Sequence, residues 1–470
     1  MAHSSFDIPV TLKQLISPAQ AFHYRVVPLR EEKDGILFVT DREDSTGLRK
    51  ELSIILGTNI YLKSETPETL QSYLTVNYRK GASTQGRLSF EDNFLHKLIA
   101  TAKNFGSSDI HMEVYDTECR VRFRLDGKLK EQYSISKKEY PQLVNQIKIQ
   151  SGLDISQKRL AQDGRITFKL GKEEFDMRVS TMPTLYGEKI VLRLLSKDTQ
   201  SVNLDDLGFT ESEIATYREG VRKPQGIILI SGPTGSGKTT TLYATLKELN
   251  QETVNILTIE DPIEYTLDGI NQVQLREDID FDFSAALRAF LRQDPDIIMV
   301  GEIRDEKTAN MAIKAALTGH LVLSTIHTNS AWATVSRLID MQVPSFLLAS
   351  TLTMSLAQRL VRKLCPHCKR EKEIVPSDFP TQFEIPKTLA TCHVAVGCHQ
   401  CYETGYLGRV AIYEILPITR ELETAIRHND LQIDTYIRQH NIHTLQSNAL
   451  RLVREGVTSV DEVYALLSTT

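Results

Sequence analysis

Residues 226–239 read GIILISGPTGSGKT: an unbroken apolar run from Gly226 to Ser231, a glycine-rich turn, then Lys238 and Thr239 opening a helical stretch, Thr239–Asn250. The turn, Gly232–Thr239, satisfies G-x-x-x-x-G-K-[ST] in the setting that gives the pattern its meaning, between a strand and a helix. Its glycines let the backbone curl with amides pointing inward, and the helix N-terminus adds positive potential. Gly232, Pro233, Thr234, Gly235, Ser236, Gly237, Lys238, Thr239 and Thr240 therefore form an anion nest for nucleotide phosphates. Lys238 supplies a point charge for the β- and γ-phosphates, and the Thr239 hydroxyl is the expected Mg²⁺ ligand. The alternative, a chance glycine-rich turn, does not explain the flanking strand and helix.

Beyond the loop, apolar segments at Ile256–Ile259, Ile297–Val300 and Leu321–Ser324 recur between helical stretches such as Phe283–Leu291 and Ala309–Leu317. This alternation implies an α/β domain on a mainly parallel sheet, with reactive groups gathered where the strands end. Two acidic segments follow strands there: TIEDPIEY, Thr258–Tyr265, with Glu260, Asp261 and Glu264, and DIIMVGEIRD, Asp296–Asp305, with Glu302. Glycine stands at Gly301, where many phosphate-loop enzymes carry a metal-binding aspartate, so Glu302 is expected to complete the Mg²⁺ shell through water. Acidic residues after strands also serve as helix N-caps, a reading that stays open for Glu260 and Asp261.

The overall balance narrows the function. Of 470 residues, 55 are Lys or Arg and 60 Asp or Glu, a formal net charge of -5. No whole-chain positive field exists to hold a polyanion, which counts against a nucleic-acid translocase built on the same core. A chain of this length is expected to hold roughly two to four domains. Its apolar runs fall far short of the ~18–20 residues that span a bilayer, and MAHSSFDIPV lacks a basic and apolar leader pattern, so a cytoplasmic protein is expected.

Ahead of the nucleotide-binding core, residues 1–80 read as a small α/β module, and Lys80–Gly86 (KGASTQG) as a linker. Residues 87–197 read as an α+β domain. It opens with apolar residues at helical spacing over Phe90–Phe105, and RVRFRLDGKL, Arg120–Leu129, alternates into an Asp-Gly hairpin turn. Gly164–Leu170, Phe175–Thr181 and Gly187–Leu195 supply further strands, and the polar run 198–208 a hinge. Residues 209–470 read as the nucleotide-binding domain.

Cys365-Pro-His-Cys368 and Cys398-His-Gln-Cys401 are two Cys-x-x-Cys knuckles. Each turns both sulfurs toward one point, and four thiolates leave no open coordination position, so a structural zinc site is expected within an insertion at about 362–405. A redox pair is the alternative, without a thioredoxin-like context to support it. Cys119 and Cys392 read as ordinary core or surface residues.

Together with GHLVLSTIHTNSA, Gly319–Ala331, these segments resemble the secretion ATPases that power type II secretion and type IV pilus extension, over about residues 90–420. The resemblance implies a RecA-like P-loop ATPase domain with a zinc-binding insertion, using ATP, Mg²⁺ and Zn²⁺. It implies that Glu264 positions or deprotonates the attacking water, that Glu302 supports Mg²⁺ and water, and that His320 and His327 sense the γ-phosphate. A buried, hydrogen-bonded histidine remains the alternative for His327. SSDIHME (Ser107–Glu113), QDGR (Gln162–Arg165) and RVSTMPTLYGEKIVLRLL (from Arg178) extend the match, and Arg122, Arg124, Arg165 and Arg178 become candidates to close over the nucleotide. Arginines alternating on a solvated strand face would look the same.

The resemblance also implies a direction: retraction ATPases of the same superfamily generally lack such a tetracysteine cluster, so its presence favours export or extension. An ATP site at a domain edge that takes arginines from elsewhere is naturally completed by a neighbouring copy, so a homo-hexameric ring is expected. The implied partners are an inner-membrane platform protein and a membrane-associated docking protein, with no nucleic acid and with peripheral residence on the inner membrane. A regulatory nucleotide-binding module without turnover is the remaining alternative, and Lys238, Glu264 and Glu302 count against it.

Overall fold

A computed structural model describes residues 6, 8–13, 15–42, 45–78, 94–171, 173–194, 202–387, 389–402 and 404–468. The linker read at Lys80–Gly86 lies outside them, as do the first residues of the 198–208 hinge. The protein has a mixed α/β fold in two compact units: residues 1–196 with 365–369 and 395–407, and residues 197–364 with 370–394 and 408–470.

Among the described residues, the first unit holds two sheets. Strands β1 (Val26–Glu32), β2 (Gly35–Thr40) and β3 (Asn59–Ser64) form a three-stranded sheet, antiparallel between β1 and β2 and parallel between β2 and β3. Strands β4 (Asp109–Val114), β5 (Cys119–Leu125), β6 (Lys128–Ile135), β7 (Gln162–Leu170), β8 (Glu173–Thr184) and β9 (Gly187–Leu194) form an antiparallel sheet in the order β6-β5-β4-β9-β8-β7. The alternation read in RVRFRL is physical: Cys119, Val121, Phe123 and Leu125 are buried, and Arg120, Arg122 and Arg124 face away from the core. Asp126 and Gly127 both take positive φ, 46° and 83°, as a tight two-residue hairpin turn between twisted strands requires. The helices Phe94–Asn104 and Tyr140–Gln150 pack their apolar stripes against the inward row.

The second unit is built on one sheet: β10 (Gly226–Ser231), β11 (Ile256–Glu260), β12 (Asn271–Gln274), β13 (Ile297–Val300), β14 (Leu321–Ile326), β15 (Leu352–Leu364) and, after the short pair β16 (Arg370–Glu373) and β17 (Thr391–Val394), β18 (Tyr406–Pro417). The order is β12-β11-β13-β14-β10-β15-β18, with parallel pairing from β12 through to β15. Every residue of β10 is buried, because the sheet is covered on both faces. Ile227 and Leu229 join a core with the helices Phe283–Phe290 and Glu306–Leu317, while Ile228 and Ile230 join one with Glu211–Val221 and Lys238–Leu249. A continuous apolar run at β10 follows from that double burial.

One charged pair of the first unit is fully enclosed. Lys148 lies 2.6 Å from Glu188, its side chain 0% exposed, and donates to the Gln157 carbonyl at 2.7 Å. Its approach to Glu188 is ionic rather than a well-directed hydrogen bond. Removing one partner strands a buried charge, which costs more than the pair contributes. Lys148→Met is expected to destabilise the fold by about 3–5 kcal/mol in urea denaturation followed by circular dichroism, and Lys148→Met/Glu188→Leu to recover much of it; an unchanged midpoint in the single variant would contradict this.

Candidate functional site

Parallel registration decides what meets at the nucleotide loop. Ser231 pairs with Ile326 of β14 and with Ala357 of β15, Ser324 with Val300 of β13, and Val300 with Ile259 of β11. The residues that follow these strands, Gly232, Glu302, His327 and the Asp261–Tyr265 segment, therefore leave the sheet along one edge, and Gln358, within β15, comes next after the Ala357 that pairs with Ser231.

The loop carries its own signs of phosphate binding. Lys238, at the first turn of its helix and 9% exposed, donates Nζ to the carbonyls of Gly232 at 2.7 Å and Pro233 at 3.1 Å. Burial lowers its pKa, the Glu302 charge opposes that, and Arg359 adds to the lowering. The buried Ser236 hydroxyl has no hydrogen-bond partner among the described residues. A buried polar atom without a partner is uncommon, and a phosphate oxygen in the loop would supply the missing one. Thr239, next after Lys238, is exposed.

Glu302 is held at the edge from two sides. One oxygen pairs with Arg304, and the other lies 3.4 Å from Nε2 of His327. A Cβ at Gly301 would stand 3.3 Å from the Ile259 carbonyl oxygen, so a side chain there would need the neighbouring strand to give by a few tenths of an ångström.

Glu260 is engaged within the protein. It is 3% exposed and accepts from the Tyr243 hydroxyl, from Thr258 Oγ1 at 2.6 Å and from Gln272 Nε2 at 3.1 Å. His320 does not join the others. It stands immediately before β14 while His327 stands immediately after it, so a strand of six residues, roughly 20 Å, separates them. The His320 ring instead donates Nδ1–H to the Ala315 carbonyl at 2.8 Å, closing the helix before it.

The candidate arginines belong to the other unit and face acids of their own sheet. Arg122 reaches Glu113 at 2.7 Å, Arg124 reaches Asp109 at 3.1 Å and Arg165 reaches Asp176 at 2.6 Å. Arg165, Arg178 and Arg193 stand side by side across β7, β8 and β9, with Asp109 next in register, so Arg193 belongs with the candidates although its spacing alone did not single it out.

Sequence reasoning also missed Gln358 and Arg359 of β15. A Cβ on Gly232 would lie 2.5 Å from the Gln358 carbonyl oxygen and 3.2 Å from the Arg359 guanidinium, so both residues brace the loop from the neighbouring strand. Gln358 also accepts from Thr241 of the loop's helix at 3.0 Å. Buried Glu414 of β18 anchors the same region, accepting from the amides of Ala331 at 2.7 Å and Leu445 at 3.2 Å. Burial raises its pKa against those two bonds and the nearby Arg359 charge.

The four cysteines converge. Their sulfurs lie within 4.8 Å of one another, with separations of 3.8 Å for Cys365–Cys398, 3.8 Å for Cys368–Cys401 and 3.7 Å for Cys398–Cys401. A tetrahedron with metal–sulfur bonds of about 2.3 Å has edges of about 3.8 Å, so the cluster is compatible with zinc. Amides of Gly397, Cys398 and Gly405 point at the Cys368 and Cys401 sulfurs at 3.2–3.3 Å, as suits thiolates. Cys119 and Cys392 are buried and stand outside the cluster.

The model of the type II/IV secretion system protein family matches residues 85–465. The chain belongs to that family. Type II secretion system protein E of Pseudomonas aeruginosa is 46% identical over 371 residues, covering 78% of this chain and 74% of that protein. The type IV pilus assembly ATPase PilB of the same organism is 46% identical over 376 residues, covering 79% and 66%. Type II secretion system protein E of Pectobacterium carotovorum is 38% identical over 486 aligned positions, covering 97% of each. Among solved structures, the pilus retraction motor PilT with bound ADP superposes with a TM-score of 0.55 at 27% identity, covering 80% of this chain and 96% of that one. With its phosphate loop, Lys238 and edge carboxylates, the protein is an ATPase of this family.

Proposed function

We propose that the protein is a hexameric motor that couples Mg²⁺-dependent ATP hydrolysis to type II secretion or type IV pilus assembly. The observation that carries this reading is the sheet edge at which the phosphate loop and Lys238 meet Glu302 with His327. Loop amides would receive the β- and γ-phosphates, with Lys238 turning from the Gly232 and Pro233 carbonyls onto them. Thr239, and Glu302 through water, would hold Mg²⁺, which neutralises charge on the phosphates. Glu264 would take the proton of the attacking water, Glu302 would be kept in place by Arg304 and His327, and arginines among Arg122, Arg124, Arg165, Arg178 and Arg193 would be drawn on from the α+β domain to stabilise the transferring phosphoryl group. Water bonds to the γ-phosphorus as its bond to the bridging oxygen breaks, and ADP and phosphate leave.

The layout we propose is an N-terminal docking module at 1–80, an α+β domain at 87–197, a hinge at 198–208 and a RecA-like domain at 209–470 with a zinc-binding insertion at about 362–405. The P. aeruginosa secretion and pilus relatives are equally similar, so the core suits either machine. The Pectobacterium secretion protein aligns along nearly the whole chain, N-terminal module included, which favours secretion. No helix among the described residues is long and apolar enough to cross a membrane, so residence at the inner membrane would come through a platform protein and a docking partner.

Turnover of the purified protein is expected to rise with membranes carrying a secretion or pilus platform protein and to stay flat with single-stranded or duplex DNA. Lys238→Ala should abolish it and Glu302→Gln should bind ATP while hydrolysing poorly; stimulation by DNA alone would overturn the motor reading. Elemental analysis is expected to find zinc, and Cys365→Ser to lose it together with thermal stability, since binding energy at such a site is folding energy. A zinc-free native protein would contradict the cluster's assignment.

A further inference from the structure

We infer that Tyr243 is the positioning residue for Glu264, registering that carboxylate against the nucleotide through a buried network with Glu260 and Gln272. This rests on the reading of Glu264 as the base.

Tyr243 lies on the helix that begins at Lys238, and its ring is 0% exposed. Its hydroxyl donates to Glu260 and accepts from the backbone amide of Glu264 at 3.3 Å and from Gln272 Nε2 at 3.4 Å. Gln272 on β12 donates to the Tyr265 carbonyl at 3.1 Å and accepts from the Leu267 amide at 2.7 Å. The Tyr265 ring meets the Tyr243 ring edge-on, centroids 4.7 Å apart. The backbone at residues 264, 265 and 267 is thus tied to side chains of one buried cluster. Burial drives the Tyr243 phenol well above its ordinary pKa, Glu260 pushing the same way, so it remains a donor.

Two consequences follow. A phenol donating to a buried carboxylate is a charge-assisted bond, stronger than a neutral one, and it fixes the cluster's geometry. Because the donor stands on the phosphate-loop helix, the segment bearing Glu264 is held relative to the phosphates and not only to the sheet. Glu260 is then the anchor of this network, and its carboxylate acts on nucleotide only through Tyr243 and the Glu264 segment.

The test is steady-state ATP turnover by the full chain and by Tyr243→Phe, Glu264→Gln and the double variant. Tyr243→Phe keeps the ring and is expected to lower kcat by about 10- to 100-fold, the order that a misplacement of about 1 Å costs, with KM for ATP little changed. In the Glu264→Gln background the same substitution should cost nothing further, because effects that run through one group are not additive. An equal loss in both backgrounds, or a loss confined to KM, would make Tyr243 a packing residue and overturn the inference. Full turnover by Glu264→Gln alone would remove the base reading and this inference with it, a failure distinct from the first. Should Tyr243→Phe not fold, Gln272→Leu, which cuts the segment's other ties, carries the same expectations.

Discussion

The site depends on the burial of one strand. Gly226–Ser231 is enclosed by parallel neighbours on both sides and by helices on both faces, and its register with them fixes which residues emerge beside the phosphate loop. A shift of a single position in a parallel pair would exchange the two core faces, so the separate packing of Ile227 and Leu229 on one side and of Ile228 and Ile230 on the other holds the meeting of Gly232, Glu302, His327 and Gln358. Chemistry and stability are coupled here through backbone geometry.

The edge is more crowded than a motif suggests. Lys238 is buried and Arg359 partly so, burial lowers the pKa of both, and Glu302 and Glu414 are the acids that oppose this. A concentration of positive charge in a low-dielectric loop is costly until an anion arrives, which is the electrostatic condition for tight binding of a polyphosphate. The Lys238 contacts to its own loop carbonyls satisfy the ammonium meanwhile and are exchangeable for phosphate oxygens at small cost.

Local patterns were legible in the sequence, and long-range register was not. GPTGSGKT and the two cysteine knuckles announce themselves because a few neighbouring residues carry the whole geometry. The strands Gly226–Ser231 and Ile297–Val300 match the sequence bounds because short apolar runs between turn signals, recurring between helical stretches, suit fully buried parallel strands. β15 is hard to read locally, since Leu352, Leu356, Leu360 and Leu364 recur at helical spacing although they stand in a strand, and Gln358 and Arg359 go with it. His320 and His327 looked equivalent within one short segment, yet the strand between them sends them to opposite edges. Glu260 read as an edge carboxylate like Glu302; its burial among Tyr243, Thr258 and Gln272 depends on contacts that no local spacing announces.

The central claim, that this edge is where ATP is bound and cleaved, is tested most directly by a crystal structure with Mg²⁺ and a non-hydrolysable ATP analogue. The expected result has Lys238 Nζ moved from the Gly232 and Pro233 carbonyls onto the β- and γ-phosphates, with the Ser236 hydroxyl gaining a phosphate partner and Glu302 facing the metal's water. A nucleotide bound elsewhere, with Lys238 still on its loop carbonyls and Ser236 still unpartnered, would contradict it.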